Sequence, residues 1–339
     1  MSRPEMEATA RALVTLGKGI LAADESSPTI KKRFDSIHLV STEENRRAYR
    51  EMLFTTDGIQ DHISGVILFD ETLRQNSSSG TPFPTLLKDR GIIPGIKVDK
   101  GAKDMAAFQG EKVTEGLDGL GDRLAEYAEL GARFAKWRAV ITIGPGLPTA
   151  FCIDANAHAL ARYAAICQEE GIVPIVEPEV LMDGGHDIAR CEEVTTAVLG
   201  VVYAQLKAHR VYLPGTLLKP NMVISGKTCP RQAGVSEVAE ATIRTLERTV
   251  PPDVPGIVFL SGGQASEAAT AHLNGMNKMG DLPWELSFSY GRALQDAALR
   301  AWGGRSDNIG AAQKAFQHRA KCCGAARFGE YTKDMERAA

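Results

Sequence analysis

A lysine within an otherwise apolar segment is the residue of this sequence with the clearest potential for chemistry. Lys219 follows Gly-Thr-Leu-Leu at 215–218 and precedes Pro220, so its flanks are apolar and its backbone is stiff. An amine becomes a nucleophile only when it loses its proton, and burial beside other cations promotes that loss. A lysine in this setting can form an imine with a carbonyl compound. Lys136 is the alternative nucleophile, and the residue types favour Lys219 only modestly.

Carboxylates that could move protons lie in a second apolar segment. Glu177 and Glu179 belong to IVPIVEPEV at 172–180, and because side chains alternate along a strand they point to the same face. Imine formation needs such an acid or base at hydrogen-bond distance. Compensation of the positive charge of the lysines explains Glu179 equally well, whereas Glu177 is the favoured proton carrier. Other apolar segments contain or end in charged residues, at Asp24, Glu25, Asp70, Glu71, Lys97, Asp99, Lys136, Arg138 and Arg292.

Two glycine-containing turns indicate a phosphate site. Ser261-Gly262-Gly263 ends one apolar segment and Gly291-Arg292 ends the next. Backbone amides at the start of a helix bind phosphate, and an arginine can hold two of its oxygens. A single Ser-Gly-Gly is also common in ordinary turns, but the two segments together favour phosphate binding.

These residues fall on elements that alternate between strand and helix. Eight short apolar segments are separated by longer segments with helical spacing, such as 156–171 and 235–249. The alternation predicts one (β/α)8 TIM barrel with parallel strands over 1–339, in which 303–339 forms a closing helix and a polar tail. Strands covered on both sides should be almost entirely apolar, so charged residues within them need an explanation. Any single one could belong to a structural salt bridge at the barrel mouth, but the whole set predicts a catalytic site there. The predicted strands are 19–25, 65–71, 95–101, 135–143, 172–180, 215–223, 256–263 and 284–292.

The composition argues against several classes of partner. The 339 residues include 39 Lys plus Arg and 42 Asp plus Glu, a net charge of −3, so no basic excess favours nucleic acid or an anionic membrane. Six scattered cysteines without CxxC spacing indicate reduced thiols and a cytoplasmic protein. No signal-peptide core and no membrane-spanning segment is recognisable, so a soluble protein that acts on a small molecule is expected.

Nine segments, taken in order, match one known enzyme family. They are GKGILAADES (17–26), TEENRRAYR (42–50), GVILFDETL (65–73), GIKVDKG (95–101), FAKWR (134–138), GIVPIVEPE (171–179), GTLLKPNMV (215–223), GIVFLSGGQ (256–264) and SFSYGRALQ (287–295). Across nearly its whole length the chain resembles class I fructose-1,6-bisphosphate aldolases. The resemblance implies a lyase of glycolysis and gluconeogenesis that cleaves the sugar bisphosphate reversibly to dihydroxyacetone phosphate and glyceraldehyde 3-phosphate. It also implies a cytoplasmic homotetramer that needs neither metal nor another cofactor.

The resemblance also implies a role for each matching residue. Lys219 is the implied Schiff-base lysine, Glu177 the main proton carrier and Lys136 a supporting charge. Asp24 would orient the substrate and the lysine, with Glu179 nearby. The implied contacts to one phosphate are Ser261, Gly262, Gly263, Ser289, Gly291 and Arg292. The implied contacts to the other end, or to the groove leading to it, are Arg33, Ser26, Lys97 and Arg138.

Two features depart from the family pattern. Animal members end in a tyrosine that helps to protonate the enamine, whereas this chain ends at Ala339 and Tyr331 matches an internal part of that tail. The sequence therefore leaves open which group protonates the enamine. After Asp24, Pro28 stands where the family usually has glycine, which predicts a stiffer loop.

Three other functions are compatible with parts of the pattern. A zinc-dependent aldolase would need histidine ligands, but only His186 is plausibly placed, and a loop histidine is the simpler interpretation. A pyridoxal-phosphate enzyme could use a buried lysine, although phosphate sites at both ends suit a bisphosphorylated sugar better. An inactive barrel could serve as a scaffold, since fold does not prove function, but the complete lysine, carboxylate and phosphate sets argue against it.

Overall fold

Eight of the ten strands form one closed parallel barrel in the computed structural model, which describes residues 1–338. The strands are β1 (Gly19–Ala23), β2 (Ile63–Leu68), β3 (Ile93–Lys97), β4 (Ala102–Asp104), β5 (Lys112–Thr114), β6 (Phe134–Ile141), β7 (Val173–Val180), β8 (Leu217–Leu218), β9 (Gly256–Phe259) and β10 (Glu285–Tyr290). The barrel strands are neighbours in chain order, and β10 pairs with β1 to close the barrel. The short strands β4 and β5 form a separate antiparallel hairpin. The predicted (β/α)8 barrel is confirmed.

Apart from the first, which precedes β1, the helices follow the strands and cover the barrel. They are α1 (Arg3–Leu13), α2 (Ser27–Asp35), α3 (Glu43–Phe54), α4 (Asp70–Leu73), α5 (Phe83–Asp89), α6 (Leu120–Glu129), α7 (Ala150–Glu169), α8 (Ile188–Ala208), α9 (Val235–Thr249), α10 (Ser266–Asn277), α11 (Arg292–Trp302) and α12 (Ile309–Arg327), with a 3₁₀ turn at Lys333–Ala338. Side chains cap the N-termini of several of these helices. The side chain of Thr149 accepts a hydrogen bond from an amide of α7, and that of Asp187 accepts one from an amide of α8. Across the described part of the chain, no helix has the length and hydropathy needed to cross a membrane.

The first helix fills the end of the barrel opposite to the predicted site. Met6, Ala10 and Leu13 of α1 are buried in one apolar cluster with residues of the barrel interior. Those barrel residues are Ile20, Ala22, Ile67, Phe134, Val173, Ile175, Leu217 and Val258. The carbonyl oxygen of Leu13 accepts from Oγ of Ser64 at the start of β2, which holds α1 at the N-terminal ends of the strands. The sequence analysis did not assign this helix.

Asp70 and Glu71 lie on a helix and not, as predicted, at the end of a strand. The β2 ladder stops at Leu68, and the two acidic residues begin α4. Glu71 thereby meets Arg46 of α3, with Oε1 2.5 Å from Nη2. Its charge joins two helices and takes no part in the barrel mouth.

The segment that follows Asp24 is also helical, where a stiff loop was predicted. Pro28 lies in the first turn of α2. Proline suits this place because the first turn needs no amide hydrogen and its fixed φ matches the helix. The residue restricts the backbone by starting a helix.

Helix α12 packs against α10, α11 and α3, within the region 303–339 that was predicted to close the fold. At its end the buried guanidinium of Arg327 donates to the carbonyl oxygens of Val14 and Leu286. These bonds tie the last long helix to the segment before β1 and to β10, the last strand of the barrel. Ala339, the last residue of the predicted tail, lies outside the described residues.

Candidate active site

The segment after β8 places Lys219 at the C-terminal end of the barrel. The ladder of β8 is limited to Leu217–Leu218, shorter than the predicted strand 215–223, because Pro220 has no amide hydrogen to donate. The backbone amide of Lys219 still donates to the carbonyl oxygen of Val176 at 2.8 Å. Lys219 is therefore fixed against β7, and only 3% of its surface is exposed.

Four charged side chains make a continuous series of contacts at this end. Nζ of Lys219 lies 3.2 Å from Oε1 of Glu177, and Nζ of Lys136 lies 3.1 Å from Oε2 of the same carboxylate. Nζ of Lys136 also lies 2.8 Å from Oδ2 of Asp24. The four residues lie in or directly after four different barrel strands. Glu177 thus contacts both lysines that the sequence offers as nucleophiles.

The charges of Asp24 and Lys136 persist although Lys136 is buried and the side chain of Asp24 is only 13% exposed. Burial opposes the charged form of Asp24, but three lysines, led by Lys136, outweigh it and hold the pKa below its ordinary value. Burial also opposes the charged form of Lys136, but three carboxylates, led by Asp24, raise its pKa above the ordinary value. A lysine held as a cation is a poor nucleophile, so this pattern favours Lys219 for that role.

Two further ion pairs lie on the rim of the barrel. Nε of Arg138 donates to Oε2 of Glu179, and Nζ of Lys97 lies 2.7 Å from Oδ1 of Asp99. The carboxylate of Asp99 also accepts from the backbone amide of Arg138, which connects the two pairs. Burial disfavours the charge of Arg138, but Glu179 and other carboxylates raise its pKa above the ordinary value. Glu179 therefore pairs with an arginine, whereas the alternative left open by the sequence was compensation of the lysines.

The glycine turn after β9 lies directly beside Arg292. Gly262 and Gly263 have φ values of +59° and +95°, where glycine is strongly preferred. A Cβ at Gly263 would lie 2.8 Å from Nη2 of Arg292, so a larger residue would displace the guanidinium. Ser289 is buried, and its Oγ has no hydrogen-bond partner within residues 1–338. A guanidinium, a buried hydroxyl and turn amides are suitable partners for an anion.

The other predicted phosphate contacts divide between two places. Ser261 is buried at the end of β9, beside the glycine turn. Ser26 and Lys97 line a cavity of 530 Å³ at another part of the mouth. Arg33 was predicted to act with Ser26 and Lys97, but a Cβ at Gly291 would lie 3.4 Å from its Nη2. The structure therefore brings Arg33 to the Gly291 side.

Two residues to which the sequence analysis gave no individual role support the site. Oε1 of the buried Glu25 lies 2.8 Å from Nη1 of Arg33 and so orients that guanidinium. Oδ1 of Asn221 accepts from the backbone amide of Val180 at 2.9 Å. This side chain replaces a ladder bond where the β8 strand is interrupted, close to Lys219. The proline in LLKPNM was the available signal, because a proline predicts an interruption of the strand ladder.

The arrangement provides the groups that imine chemistry needs. A buried amine lies next to a carboxylate that can exchange protons with it, and a fixed cation lies on the other side of that carboxylate. His186 lies in the loop after β7, as predicted. Among the residues that the structure describes, His186 belongs to no group of three potential metal ligands.

Known proteins resemble this chain over nearly its full length. A family model described as "Fructose-bisphosphate aldolase class-I" matches residues 5–339. A Xanthomonas campestris pv. campestris protein named "Probable fructose-bisphosphate aldolase class 1" is 59% identical over 332 residues, which cover 98% of this chain and 99% of that protein. An Arabidopsis thaliana protein named "Fructose-bisphosphate aldolase 4, cytosolic" is 55% identical and covers 98% of this chain and 85% of its own length.

A solved structure shares the barrel and its helices. It is fructose-bisphosphate aldolase from Plasmodium falciparum, in complex with TRAP and a small-molecule inhibitor. It superimposes with a TM-score of 0.96 and 51% identity, over 97% of this chain and 95% of that chain. Sequence and fold agree, and the chain belongs to the class I fructose-bisphosphate aldolase family of carbon–carbon lyases.

Proposed function

We propose that this chain cleaves fructose 1,6-bisphosphate reversibly through an imine on Lys219, as an enzyme of glycolysis and gluconeogenesis. The products are dihydroxyacetone phosphate and glyceraldehyde 3-phosphate. The observation that carries the proposal is the series of contacts from Lys219 through Glu177 and Lys136 to Asp24. These groups provide a nucleophile, a proton carrier and a fixed cation in one buried cluster.

Imine formation uses Lys219 and Glu177. The neutral amine attacks the ketone carbon of the substrate and gives a carbinolamine. Glu177, which lies 3.2 Å from Nζ, donates a proton to the carbinolamine hydroxyl, and that group leaves as water. The nitrogen lone pair completes the C=N bond, which yields a positively charged iminium. Lys136, held as a cation by Asp24, stays between the two carboxylates throughout.

Carbon–carbon cleavage uses the iminium as an electron sink. Glu177, assisted by Asp24, removes the proton from the hydroxyl on the fourth carbon. The bond between the third and fourth carbons breaks, its electron pair forms the double bond between the second and third carbons of an enamine, and the C=N π electrons move to the nitrogen. Glyceraldehyde 3-phosphate leaves at this step. Protonation of the enamine carbon and hydrolysis of the imine release dihydroxyacetone phosphate and restore the amine.

The two phosphates are bound on different sides of the lysine cluster. One phosphate contacts the glycine turn and the start of α11, with Arg33 close by. Its assigned partners are Ser261, Gly262, Gly263, Ser289, Gly291 and Arg292. The other phosphate enters the cavity lined by Ser26 and Lys97, near the rim where Arg138 lies. Binding at both ends holds the reacting carbons over the amine and reduces the entropic cost of reaction.

We also propose that the protein is a cytoplasmic homotetramer. All six cysteines are free, which suits a reducing compartment, and the Arabidopsis relative has a cytosolic name. The tetramer rests on the family resemblance. Gel filtration with light scattering is expected to give the mass of four chains, and the mass of one chain would contradict it.

The imine is tested by trapping. The purified protein is incubated with dihydroxyacetone phosphate and borohydride, with and without a chelator, and the added mass is located by peptide mapping. The adduct is expected on Lys219 in equal amount under both conditions. Lys219→Met is expected to give no adduct. Lys136→Arg, which keeps the positive charge, is the matched control and is expected to form the adduct on Lys219.

The trapping experiment distinguishes the remaining possibilities. An adduct on Lys136 would keep the imine chemistry and assign another nucleophile. Folded wild-type protein that gives no adduct would reject the proposal. An adduct that forms only without chelator would point to metal-assisted chemistry.

A further inference from the structure

Far from the lysine cluster in sequence, three side chains with metal-binding atoms meet where the C-terminal turn contacts α12. His318 and Cys322 lie one helical turn apart on α12, so they share one face, and Glu336 lies on the 3₁₀ turn. Their ligand atoms all lie within 4.8 Å of one another. Within residues 1–338 this is the one such group of three His, Cys or carboxylate residues.

We propose that His318, Cys322 and Glu336 bind a zinc ion, with water as the fourth ligand. Sγ of Cys322 lies 3.6 Å from Nε2 of His318. In a tetrahedral site with Zn–S near 2.3 Å and Zn–N near 2.0 Å, sulfur and nitrogen are separated by about 3.5 Å. The thiol and the imidazole therefore already have the separation that zinc requires, before any movement of α12.

The carboxylate is close enough to complete the site. Oε2 of Glu336 lies 3.9 Å from Nε2 of His318. The corresponding separation in a tetrahedral zinc site is about 3.3 Å, so this nitrogen–oxygen pair must close by about 0.6 Å. A mixed thiolate, imidazole and carboxylate set with one open position suits zinc better than calcium or magnesium, which prefer oxygen ligands.

Glu336 already has hydrogen-bond donors, and these can remain when zinc binds. Arg319 donates to both carboxylate oxygens, and the hydroxyl of Tyr331 donates to Oε1 at 2.8 Å. Each carboxylate oxygen has two lone pairs, so Oε2 retains one for a metal. Carboxylates that bind metals are commonly oriented by such outer donors. The positive charge of Arg319 weakens binding without blocking it.

A cavity gives the ion access to two of the three ligands, and the buried Cys322 lies beside His318 behind its wall. The cavity has a volume of 450 Å³ and is lined by His318 and Glu336 together with Glu267 and Asp296. Three carboxylates line it against two arginines, so the lining has net negative charge when His318 is neutral. This space also accommodates the water proposed as the fourth ligand. Zinc here would connect α12 to the terminal turn and would not participate in cleavage of the sugar.

The test uses the full chain after treatment with a chelator. Calorimetric titration with Zn²⁺ is expected to show one ion per chain, and Co²⁺ is expected to give a thiolate-to-cobalt charge-transfer band. Cys322→Ser is expected to remove the band. His318→Gln and Glu336→Gln are each expected to weaken Zn²⁺ binding by about 10-fold or more. Cys229→Ser, which changes a cysteine outside this group, is the matched control and is expected to keep both signals.

Trypsin provides a second readout in the same samples. Zinc is expected to slow cleavage after Lys333 in the wild type and to have no such effect in Cys322→Ser, because the bound ion holds Glu336 against α12. Cys322 is buried, so its substitution could disturb packing, and the other two variants carry the test independently. Wild-type affinity in folded His318→Gln and Glu336→Gln, or the absence of Zn²⁺ binding to the wild type, would overturn the proposal.

Discussion

At the residue scale, the chemistry of the site depends on one carboxylate shared by two lysines. Glu177 contacts Lys219 through one oxygen and Lys136 through the other. Asp24 holds Lys136 in its charged form, so that lysine does not compete as a nucleophile. Removing one member of such a buried set leaves the others with uncompensated charge. This usually lowers the stability of the fold more than the loss of an exposed ion pair does.

Glu177→Gln is expected to lower kcat by about 10²-fold to 10⁴-fold, because an amide cannot transfer the protons of imine formation and cleavage. KM is expected to change little, since the phosphate contacts are elsewhere. Glu179→Gln is the matched control, because Glu179 compensates Arg138 on the rim. Steady-state kinetics on both variants provides the test. Equal losses of kcat would contradict a special role for Glu177.

The carboxylate of Asp24 is expected to stay ionised, and to stabilise the fold, at pH values where an ordinary aspartate is already partly protonated. Its folded-state pKa lies below the ordinary value of 3.8, so its contribution is complete above that value and is lost as pH falls toward the folded-state pKa. The difference in unfolding free energy between wild type and Asp24→Asn should be constant from about pH 7 to about pH 5 and should shrink below about pH 4. Urea unfolding at several pH values measures it. A difference that already declines between neutral pH and pH 5 would be inconsistent with a lowered pKa.

At the element scale, the sequence predicted which strands exist better than where they end. Apolar segments identify strands because both faces of a parallel barrel are covered. Their ends depend on backbone hydrogen bonds, which apolar patterning does not report, as the truncated ladder before Pro220 illustrates. Alternation placed Glu177 and Glu179 on one face, yet Glu179 pairs with Arg138 of β6, whereas Glu177 contacts both Lys136 of β6 and Lys219 after β8. Such partners follow from barrel closure, and a single strand pattern does not contain them.

Helix α1 illustrates a role that local sequence could not reveal. Its buried positions have the spacing of any helix with one apolar face, so the pattern does not distinguish a barrel plug from an outer helix. In the structure its apolar face meets the interior-facing residues of most barrel strands. The plug therefore contributes to the core at a place where the strands alone would leave a cavity.

The plug is tested by two leucines three residues apart. Leu13 is fully buried, whereas Leu16 is 53% exposed. Leu13→Ala is expected to reduce the unfolding free energy by about 2 to 5 kcal/mol, because it opens a cavity at the base of the barrel. Leu16→Ala is the control, with an expected change within about 0.5 kcal/mol. Denaturant unfolding compares them, and similar effects would show that α1 does not fill the barrel.

At the scale of the whole molecule, we propose that residues 1–339 form one domain in which the region 303–339 completes the core. Support comes from Arg327, which is buried at the end of α12 and bonds to the carbonyl oxygens of Val14 and Leu286. Buried carbonyl groups need such partners, and these two lie before the first and within the last barrel strand. The two ends of the chain are thereby joined through one side chain.

Arg327→Met should therefore weaken the entire molecule and not only its C-terminal end. The loss is expected to be about 2 to 4 kcal/mol, since at least two buried carbonyl groups lose a donor. Arg305→Met, at a side chain that is 71% exposed, is the control and should change stability by less than about 0.5 kcal/mol. Hydrogen exchange followed by mass spectrometry can compare peptides from β6 and from α12. If the chain is one domain, both peptides should exchange faster by a similar factor, because both are protected by the same global unfolding. Faster exchange in α12 alone would mean that the region 303–339 unfolds as a separate unit.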